Sequence, residues 1–302
     1  MALSRQRALV TGASGFIGSA LITRLLAENV EVFAVSRNPP PAGAGDRARW
    51  VQGDLQEIDV ARRVFEAARP GLVYHLASHV AGARDVQLVL PTFASNLAST
   101  VNLLTVASER GCDRVVLTGS LEEPAEAQAA PSSPYAAAKH AASGYARMFH
   151  ALFATPVVIL RLFMVYGPGQ RDVRKLIPSV ILSLLQNERP RVSSGGRDID
   201  WIFVDDVVSA LIAAARTPGA IGATLDVGSG VLVPIRTVVE KLVEIVNPDL
   251  QPLFGAIPDR PLEQLRTADT ARTEAVMGWR PCTALDEGLR RTVDWYAERF
   301  HR

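Results

Sequence analysis

Short apolar runs alternate along the first half of the chain with longer segments in which apolar residues recur at helical spacing. The runs are typical of strands buried on both faces of a parallel sheet, and the longer segments are typical of helices that cover it. We predict strands at residues 8–11, 30–35, 72–76, 115–117 and 157–162, and helices at residues 16–28, 100–110 and 135–152. This alternation predicts an α/β fold with a doubly wound parallel sheet.

The pattern becomes less regular after Tyr166, in the segment Tyr166-Gly167-Pro168-Gly169-Gln170. A helix at residues 201–215 and a strand at residues 224–228 are again predicted, which indicates that the chain returns to the first domain before it ends. We therefore predict a large domain formed by residues 1–166 with 197–228, and a smaller C-terminal α/β lobe formed by residues 167–196 and 229–302.

Three glycines spaced three residues apart lie where the first predicted strand ends and the first helix begins. The first permits a tight turn, the second lets a pyrophosphate approach the backbone, and the third lets helix and strand pack closely. Amide groups at the helix N-terminus then face the phosphates. The spacing predicts a Rossmann-type dinucleotide-binding domain whose cofactor contacts are Gly12, Ser14, Gly15, Phe16, Ile17 and Gly18.

The end of the second predicted strand bears on which nicotinamide dinucleotide is bound. A site for NAD usually presents Asp or Glu to the ribose hydroxyls at this place, but this chain has Ser36, Arg37 and Asn38. A guanidinium group pairs well with a ribose phosphate. We predict that the cofactor is NADP(H), bound in part by Arg37, with NAD(H) as the alternative.

Two further strand ends are expected at the same edge of the sheet. Asp54 and Leu55 follow a short strand, and the Asp54 carboxylate is predicted to accept a hydrogen bond from the adenine amino group. The strand at residues 72–76 is followed by small residues that bring backbone toward the dinucleotide, whereas the His75 side chain is expected to pack within the strand. This edge adds Leu76, Ala77 and Ser78 to the predicted cofactor contacts.

Tyr135 and Lys139 stand four residues apart near the start of the predicted helix at residues 135–152. Ser133 suits the helix N-cap and Pro134 the first helical position, so both side chains project from one face. Tyrosine titrates near pH ~10, and a neighbouring ammonium lowers that pKa. The pair predicts proton transfer coupled to hydride chemistry on a nicotinamide, with Lys139 lowering the pKa of Tyr135.

Composition restricts the class of partner. The formal net charge is +1 and basic blocks are absent, which argues against nucleic acid. Cys112, Cys282 and the five histidines show no metal-ligand spacing, so no metal is expected. We recognise no signal peptide, and the apolar runs are interrupted before they reach the length of a bilayer span. We expect a cytoplasmic protein without a membrane partner.

Further motifs follow the glycine motif and the Tyr135/Lys139 pair in a fixed order. They are Thr118-Gly119-Ser120, Arg161-Leu162-Phe163-Met164-Val165-Tyr166-Gly167-Pro168-Gly169, Val204-Asp205-Asp206-Val207 and Gly278-Trp279-Arg280-Pro281. Over essentially its whole length the chain resembles the extended short-chain dehydrogenase/reductase family, particularly its nucleotide-sugar epimerases, dehydratases and 4-ketoreductases. The resemblance implies that Ser120 holds the substrate oxygen, Tyr135 transfers the proton, and Lys139 binds the nicotinamide ribose.

The chain departs from the family pattern around the expected substrate. Glu122 occupies a place compatible with the acid that related dehydratases use beside a 4-keto group, but Leu121 stands where some of them have Asp. Met164 replaces an Asn that contacts the nucleotide sugar in many relatives. Arg197 and Arg260 are the candidates for binding the diphosphate. The predicted substrate contacts are therefore Ser120, Glu122, Met164, Arg197 and Arg260. The alternative for the loop is that Glu122 and Glu123 are solvated carboxylates.

One hydride step serves three reactions, which the sequence leaves open. We expect net 4-ketoreduction of a nucleotide-activated hexose, because Arg37 favours NADPH. A 4-epimerase or a 4,6-dehydratase with a bound, transiently reduced NAD(P) is the alternative, and a dinucleotide-sensing protein without turnover is a third hypothesis. The nucleotide base and the sugar are not identified. Broad apolar faces on the helices at residues 100–110 and 135–152, with the family's usual arrangement, imply a homodimer.

Overall fold

The first half of the chain alternates strands with helices as predicted. The computed structural model describes residues 6–40, 47–125, 129–259 and 265–300. In chain order its first elements are β1 (Arg7–Thr11), α1 (Phe16–Ala27), β2 (Glu31–Ser36), β3 (Arg49–Gln52), α2 (Ile58–Ala68), β4 (Leu72–His75), a 3₁₀ turn (Val86–Leu88), α3 (Val89–Thr92), a π-helical segment (Phe93–Ala98), α4 (Ser99–Arg110), β5 (Arg114–Ser120), α5 (Pro134–Phe153) and β6 (Val157–Leu162).

The second half of the chain is less regular. Its elements are β7 (Met164–Tyr166), α6 (Leu176–Leu185), β8 (Asp198–Phe203), α7 (Val204–Arg216), a 3₁₀ turn (Pro218–Ala220), β9 (Thr224–Val227), β10 (Leu232–Pro234), α8 (Ile235–Val246), α9 (Thr270–Met277) and α10 (Leu285–Phe300). The predicted helix at residues 201–215 was too long, because residues 201–203 belong to β8. The helix begins at Val204, and Asp205 and Asp206 lie in its first turn, where acidic residues are favourable.

Seven strands form one sheet in the order β3-β2-β1-β4-β5-β6-β9. The pairings from β3 to β6 are parallel. The chain passes from β1 to β2 on one side and returns to β4 on the other, so the strand order reverses between β1 and β4. Thr11, at the carboxyl end of β1, lies opposite Val35 and His75 in the neighbouring strands. In open α/β sheets such a reversal is where ligands bind.

The large sheet is buried because helices cover it. Ala8, Leu9 and Val10 of β1 are fully buried, and Leu9 belongs to a core cluster that also draws on α2, α4 and α5. Full burial of a Leu or Val side chain contributes about 1.5–3 kcal/mol. α2 presents an apolar stripe at helical spacing, formed by Val60, Ala61, Val64, Phe65 and Ala68.

A second, three-stranded sheet has the order β10-β8-β7. β8 runs antiparallel to β10 and parallel to β7. Its core cluster includes residues of α6, α8 and α10, among them Ile181, Leu184, Leu242, Leu289 and Tyr296. This second core is the apolar centre of the smaller unit of the chain.

The chain divides into two compact units. The first consists of Met1–Leu162, Val208–Leu225 and Arg272–Trp279, and the second consists of Phe163–Val207, Asp226–Ala271 and Arg280–Arg302. The predicted bounds differ from these most at residues 197–207 and 272–279. Residues 197–207 belong to the second unit because β8 pairs with β7 and β10, and residues 272–279 return to the first unit, where Trp279 Nε1 donates to Ser209 Oγ at 2.8 Å.

One helix exceeds its predicted length. Residues Val86–Arg110 are helical over 25 residues, and by length and mean hydropathy alone this segment could cross a membrane. Its last part, α4, packs against α2 and α5. A core helix of an α/β domain makes contacts of the same kind. The predicted helix at residues 100–110 is therefore only the C-terminal part of this segment.

Candidate active site

The glycine motif forms the turn from β1 into α1. Gly12 has a φ of +66°, and a Cβ there would lie 2.7 Å from the backbone atoms Leu76 C, Leu76 O and Ala77 N. A Cβ on Gly18 would overlap the carbonyl oxygen of Gly12. Gly15 is the N-cap of α1 and has no side-chain capping bond. The turn therefore requires glycine and leaves the amides of the first helical turn without a side-chain cap.

A cavity of about 190 Å³ lies at this turn. It is at the strand-order reversal, and Gly12 and Gly15 form part of its wall. Its remaining walls are formed by Thr11, Ser14, Val35, Ser36, Arg37, Asn38, Gly53, Asp54, Leu55, Gln56, Leu76, Ala77, Ser78, Ser95 and Ser99. The structure thus brings together nine of the predicted cofactor residues, while Phe16, Ile17 and Gly18 form the first turn of α1 beside them.

One end of the cavity is formed by the ends of β2 and β3. The hydroxyls of Ser14 and Ser36 are 3.0 Å apart, and Gln52 Nε2 donates to the Arg37 carbonyl at 3.0 Å. The Asp54 carboxylate accepts from Gln56 N and Gln56 Nε2, each at 3.1 Å. Asp54 therefore stabilises a local turn before α2 as well as lining the cavity.

The other side of the cavity rests on a buried histidine. Thr11 Oγ1 accepts from the amides of Leu76 and Ala77 and lies 2.8 Å from His75 Nδ1, while His75 Nε2 lies 3.0 Å from Thr100 Oγ1. Because the Thr100 hydroxyl donates to the Asn96 carbonyl, His75 carries its proton on Nε2 and accepts from Thr11 at Nδ1. Burial lowers the pKa of His75 to about 3, so the ring is neutral.

Asn96 holds the segment that follows His75. Its side-chain oxygen accepts from Ser78 Oγ at 3.2 Å and from the His79 amide at 2.6 Å, and its amide group donates to the His79 carbonyl at 3.1 Å. Asn96 is buried in the π-helical segment. Sequence patterns gave no signal for this role, because the partners are 17 or more residues away.

Tyr135 and Lys139 lie together in the first turns of α5. Ser133 caps this helix by accepting from Ala136 N at 3.1 Å, and Pro134 is its first residue. Lys139 is buried, and its Nζ donates to the Thr118 carbonyl at 2.8 Å. Burial lowers the pKa of Lys139 to about 8, although the charge of Glu123 acts in the opposite direction.

The predicted effect of Lys139, a lowered pKa of Tyr135, was wrong. Burial raises the pKa of Tyr135, and Glu122 and Glu123 also raise it, while hydrogen bonding to Ser120 and Ser78 lowers it. Desolvation dominates because the phenol is enclosed. The Lys139 ammonium is bound to the backbone of β5 instead.

Ser120 is held by the loop that follows β5. Its Oγ accepts from Glu122 N at 3.2 Å, its carbonyl accepts from Glu123 N at 3.1 Å, and its amide donates to Glu123 Oε1 at 2.7 Å. Glu122 Oε2 accepts from the Ser133 hydroxyl at 3.4 Å. Glu123 is only 3% exposed, so the interpretation of this residue as a solvated carboxylate was wrong.

Two predicted substrate residues belong to the second unit. Met164 is in β7, opposite Trp201 of β8, and packs against the core of that unit. Arg197 precedes β8, and its carbonyl accepts from Ile235 N at 2.9 Å. Arg260 lies outside the described residues. Within the described residues, no group of three or more His, Cys, Asp or Glu side chains could hold a metal ion.

The sequence matches the NAD-dependent epimerase/dehydratase family over residues 8–228. The chain belongs to this family. A UDP-glucose 4-epimerase from Mycolicibacterium smegmatis is 31% identical, with 96% of this chain and 98% of that protein covered. A dTDP-glucose 4,6-dehydratase from Haemophilus influenzae is 29% identical, with 95% and 97% covered. The predicted family, the extended short-chain dehydrogenase/reductase group, is therefore confirmed, and so is the predicted class of enzyme.

A solved structure supports the same assignment. The UDP-glucose 4-epimerase of Thermus thermophilus in complex with NAD has a TM-score of 0.86 and 26% identity, with 97% of this chain and 100% of that chain covered. The predicted Rossmann-type fold is confirmed. The residues of this epimerase/dehydratase family member also fit a dinucleotide, because the turn at Gly12 leaves no room for a Cβ and the first amides of α1 lack a side-chain cap.

Proposed function

We propose that the protein is an NAD(P)-dependent 4-epimerase of a nucleotide-activated hexose. Its relatives include a UDP-glucose 4-epimerase and a dTDP-glucose 4,6-dehydratase, each matched over nearly its full length. Both names describe enzymes whose reaction has no net reduction of the sugar. This favours epimerisation or dehydration over the net 4-ketoreduction that Arg37 suggested.

The loop after Ser120 favours an epimerase over a dehydratase. Elimination of water requires an acid for the leaving hydroxyl and a base for the proton beside the keto group. Leu121, an apolar residue, stands where some of the dehydratases that resemble this chain have Asp. The Glu123 carboxylate is buried against the Ser120 amide. Elimination requires two such groups, but among the acidic residues that the structure describes in this loop only Glu122 stands at a position compatible with a dehydratase acid. This supports hydride transfer without loss of water.

The residues around Tyr135 are suited to oxidise and reduce an alcohol. We assign Tyr135 to accept the proton of the 4-hydroxyl as the phenolate and to return it as the phenol. Hydrogen bonds to Ser120 and Ser78 favour the phenolate by lowering the pKa of Tyr135 against the effect of burial. The Ser120 hydroxyl would hold the substrate oxygen and stabilise negative charge on it. The dinucleotide, when bound, supplies the hydride acceptor and donor. Lys139 would hold the nicotinamide ribose from its position at the Thr118 carbonyl.

Epimerisation requires the keto sugar to present its opposite face before it is reduced. Retention of the cofactor between the two hydride steps makes the reaction neutral in cofactor. The second unit is proposed to bind the nucleotide diphosphate, with Arg197 as the residue that contacts its phosphate oxygens and Met164 beside the sugar nucleotide. Arginine is suited to this contact because its planar fork donates two parallel hydrogen bonds.

For the cofactor itself, we propose a preference for NADP(H). Arg37 lies in the cavity wall at the end of β2, and neither neighbour, Ser36 nor Asn38, is acidic. A guanidinium at this place attracts a ribose phosphate. The related structure named above contains NAD, so both dinucleotides must be compared in any assay.

Product and cofactor balance test the proposal. Purified protein is incubated with UDP-hexoses and dTDP-hexoses and with NAD or NADP in an amount far below that of the sugar. We expect the C4 epimer to accumulate without loss of water and without net change in cofactor. Stoichiometric NADPH consumption with a 4-keto sugar would replace the proposal by 4-ketoreduction, and a product lighter by one water would replace it by dehydration.

A further inference from the structure

Glu123 is a buried acid beside the catalytic residues. The proposed reaction gives its contacts no role. Glu123 is 3% exposed, on the loop between β5 and α5. Its Oε1 accepts from the amide of Ser120 at 2.7 Å, and its own amide donates to the Ser120 carbonyl at 3.1 Å. A buried carboxylate is costly unless it is bonded and paired, so its place next to Ser120 needs an explanation.

Gly119 provides the space for this carboxylate. A Cβ on Gly119 would overlap Glu123 Oε1 and would lie 3.1 Å from Arg161 Cγ. Gly119 does not have a positive φ, so the backbone of β5 does not itself require glycine here. The absence of a side chain is needed for the approach of Glu123 and Arg161.

We propose that Glu123 is a positioning residue, whose carboxylate occupies the space left by Gly119 and fixes the Ser120 hydroxyl in its place beside Tyr135. This assignment rests on the proposed function, because it gives Ser120 and Tyr135 their catalytic roles. The same carboxylate supplies a fixed negative charge near Tyr135 and Lys139. Glu123 touches neither the substrate nor the cofactor in this account, and it acts through the Ser120 backbone and through charge.

The electrostatic part of the proposal has a definite direction. Glu123 raises the pKa of Tyr135 and that of Lys139. The groups around Tyr135, Lys139 and Glu123 include Glu122 on the same loop, Ser120 on β5, Ser78 after β4, neutral His75 of β4, whose pKa is lowered by the Lys139 charge, and Arg161 of β6, which borders the space at Gly119. Removal of the Glu123 charge should therefore lower both pKa values and move both limbs of the pH–rate profile to lower pH.

Three substitutions separate position from charge. Glu123→Gln keeps an oxygen that can accept from the Ser120 amide but removes the charge. Gly119→Ala keeps the charge but fills its space, and Glu123→Ala removes both. Glu66→Gln is the matched control for loss of one carboxylate, because Glu66 is exposed on α2.

Amide hydrogen exchange resolved to Ser120 tests the positioning role without cofactor or substrate. We expect faster exchange in Glu123→Ala and Gly119→Ala, and exchange as in the wild type for Glu123→Gln and Glu66→Gln. We also expect kcat to fall about ten- to hundredfold in the first two variants, as a misplaced catalytic group does, and their double variant to lose no more than either alone. Only Glu123→Gln should shift the pH profile to lower pH while keeping most of its rate.

Unchanged Ser120 exchange in Glu123→Ala would overturn the proposal, and so would a pH profile of Glu123→Gln that matches that of Glu66→Gln. A structural role alone would lower the unfolding temperature of Glu123→Ala and leave both readouts unmoved. If the wild-type protein converts no nucleotide sugar, the proposed function is wrong. The exchange measurement still tests the contact between Glu123 and Ser120, because it needs neither cofactor nor substrate.

Discussion

Lys139 Nζ donates a hydrogen bond to the carbonyl oxygen of Thr118, two residues before Ser120. This contact ties the start of α5 to the end of β5 and so fixes Tyr135, one turn earlier on α5, relative to Ser120. The ammonium is buried, which makes this arrangement costly to the folded state. The cost can be measured.

Lys139→Met should stabilise the protein at pH 7. Burial lowers the pKa of Lys139 from 10.5 to about 8, and a shift of this size corresponds to about 3 kcal/mol. Below about pH 8 the Lys139 amine is protonated in both the folded and the unfolded state, so the folded state then carries the full cost of burying the charge. Between about pH 8 and 10.5 the unfolded state binds more protons, so wild-type stability rises with pH.

Urea unfolding of both proteins at pH 7 and at pH 10 tests this. The variant should be more stable at the lower pH, and its advantage should shrink at the higher pH. An advantage for the wild type at pH 7, or a difference between the proteins that does not change with pH, would contradict a depressed Lys139 pKa.

Gly12→Ala should weaken dinucleotide binding. Alanine at a φ of +66° is strained by about 1–2 kcal/mol, and its Cβ would press on the backbone of Leu76 and Ala77. We expect the affinity to fall at least about tenfold, which corresponds to 1.4 kcal/mol. Gly219→Ala is the control, because a Cβ there meets nothing within 4 Å. Equal affinities of the two variants by calorimetry would refute this account of the turn.

Arg37→Ala should change cofactor selectivity. Loss of a hydrogen bond to a charged group costs about 1.5–3 kcal/mol, so NADPH should bind about ten- to hundredfold more weakly. NADH lacks the ribose phosphate and should bind with nearly unchanged affinity, which makes it the internal control. Fluorescence titration with both dinucleotides decides the matter. A parallel loss for both, or for neither, would remove Arg37 from the selectivity site.

An exposed apolar face predicts a homodimer through the segment Val86–Ala98 and α5. Val86 is 82% exposed, Leu90 76% and Phe93 51%, and a groove of about 660 Å³ beside them is lined partly by Ala137 and Ala141. Such a patch is typical of an interface. Light scattering should give a dimer for the wild type and for Ile257→Glu, and a monomer for Phe93→Glu. A wild-type monomer at micromolar concentration would refute this.

The sequence was sufficient to predict the large sheet and to predict which residues lie together at its strand-order reversal. Strands such as β1 are continuous apolar runs bounded by glycine motifs, and the Tyr135/Lys139 spacing is local, so both follow from short-range patterns. The predicted helices did not include α2, although its apolar spacing is helical.

Contacts between distant residues could not be predicted in this way. His75 meets Thr11 across 64 positions and Thr100 across 25, and no local pattern indicates either contact. The exposure of Glu123 was also misjudged, because its burial depends on the space left by Gly119 and not on the polarity of its own loop. The pKa of Tyr135 was misjudged for a related reason, since desolvation depends on packing.

The most direct test of the proposed epimerase follows a deuterium label. A nucleotide hexose deuterated at C4 is incubated with the enzyme and a trace of unlabelled cofactor, with Tyr135→Phe as the control that should lose about 10²- to 10⁴-fold in rate. We predict that the C4 epimer retains deuterium at C4 in the product, observed by NMR and mass spectrometry. Deuterium at C6 of a product that has lost water would contradict the account and identify a dehydratase.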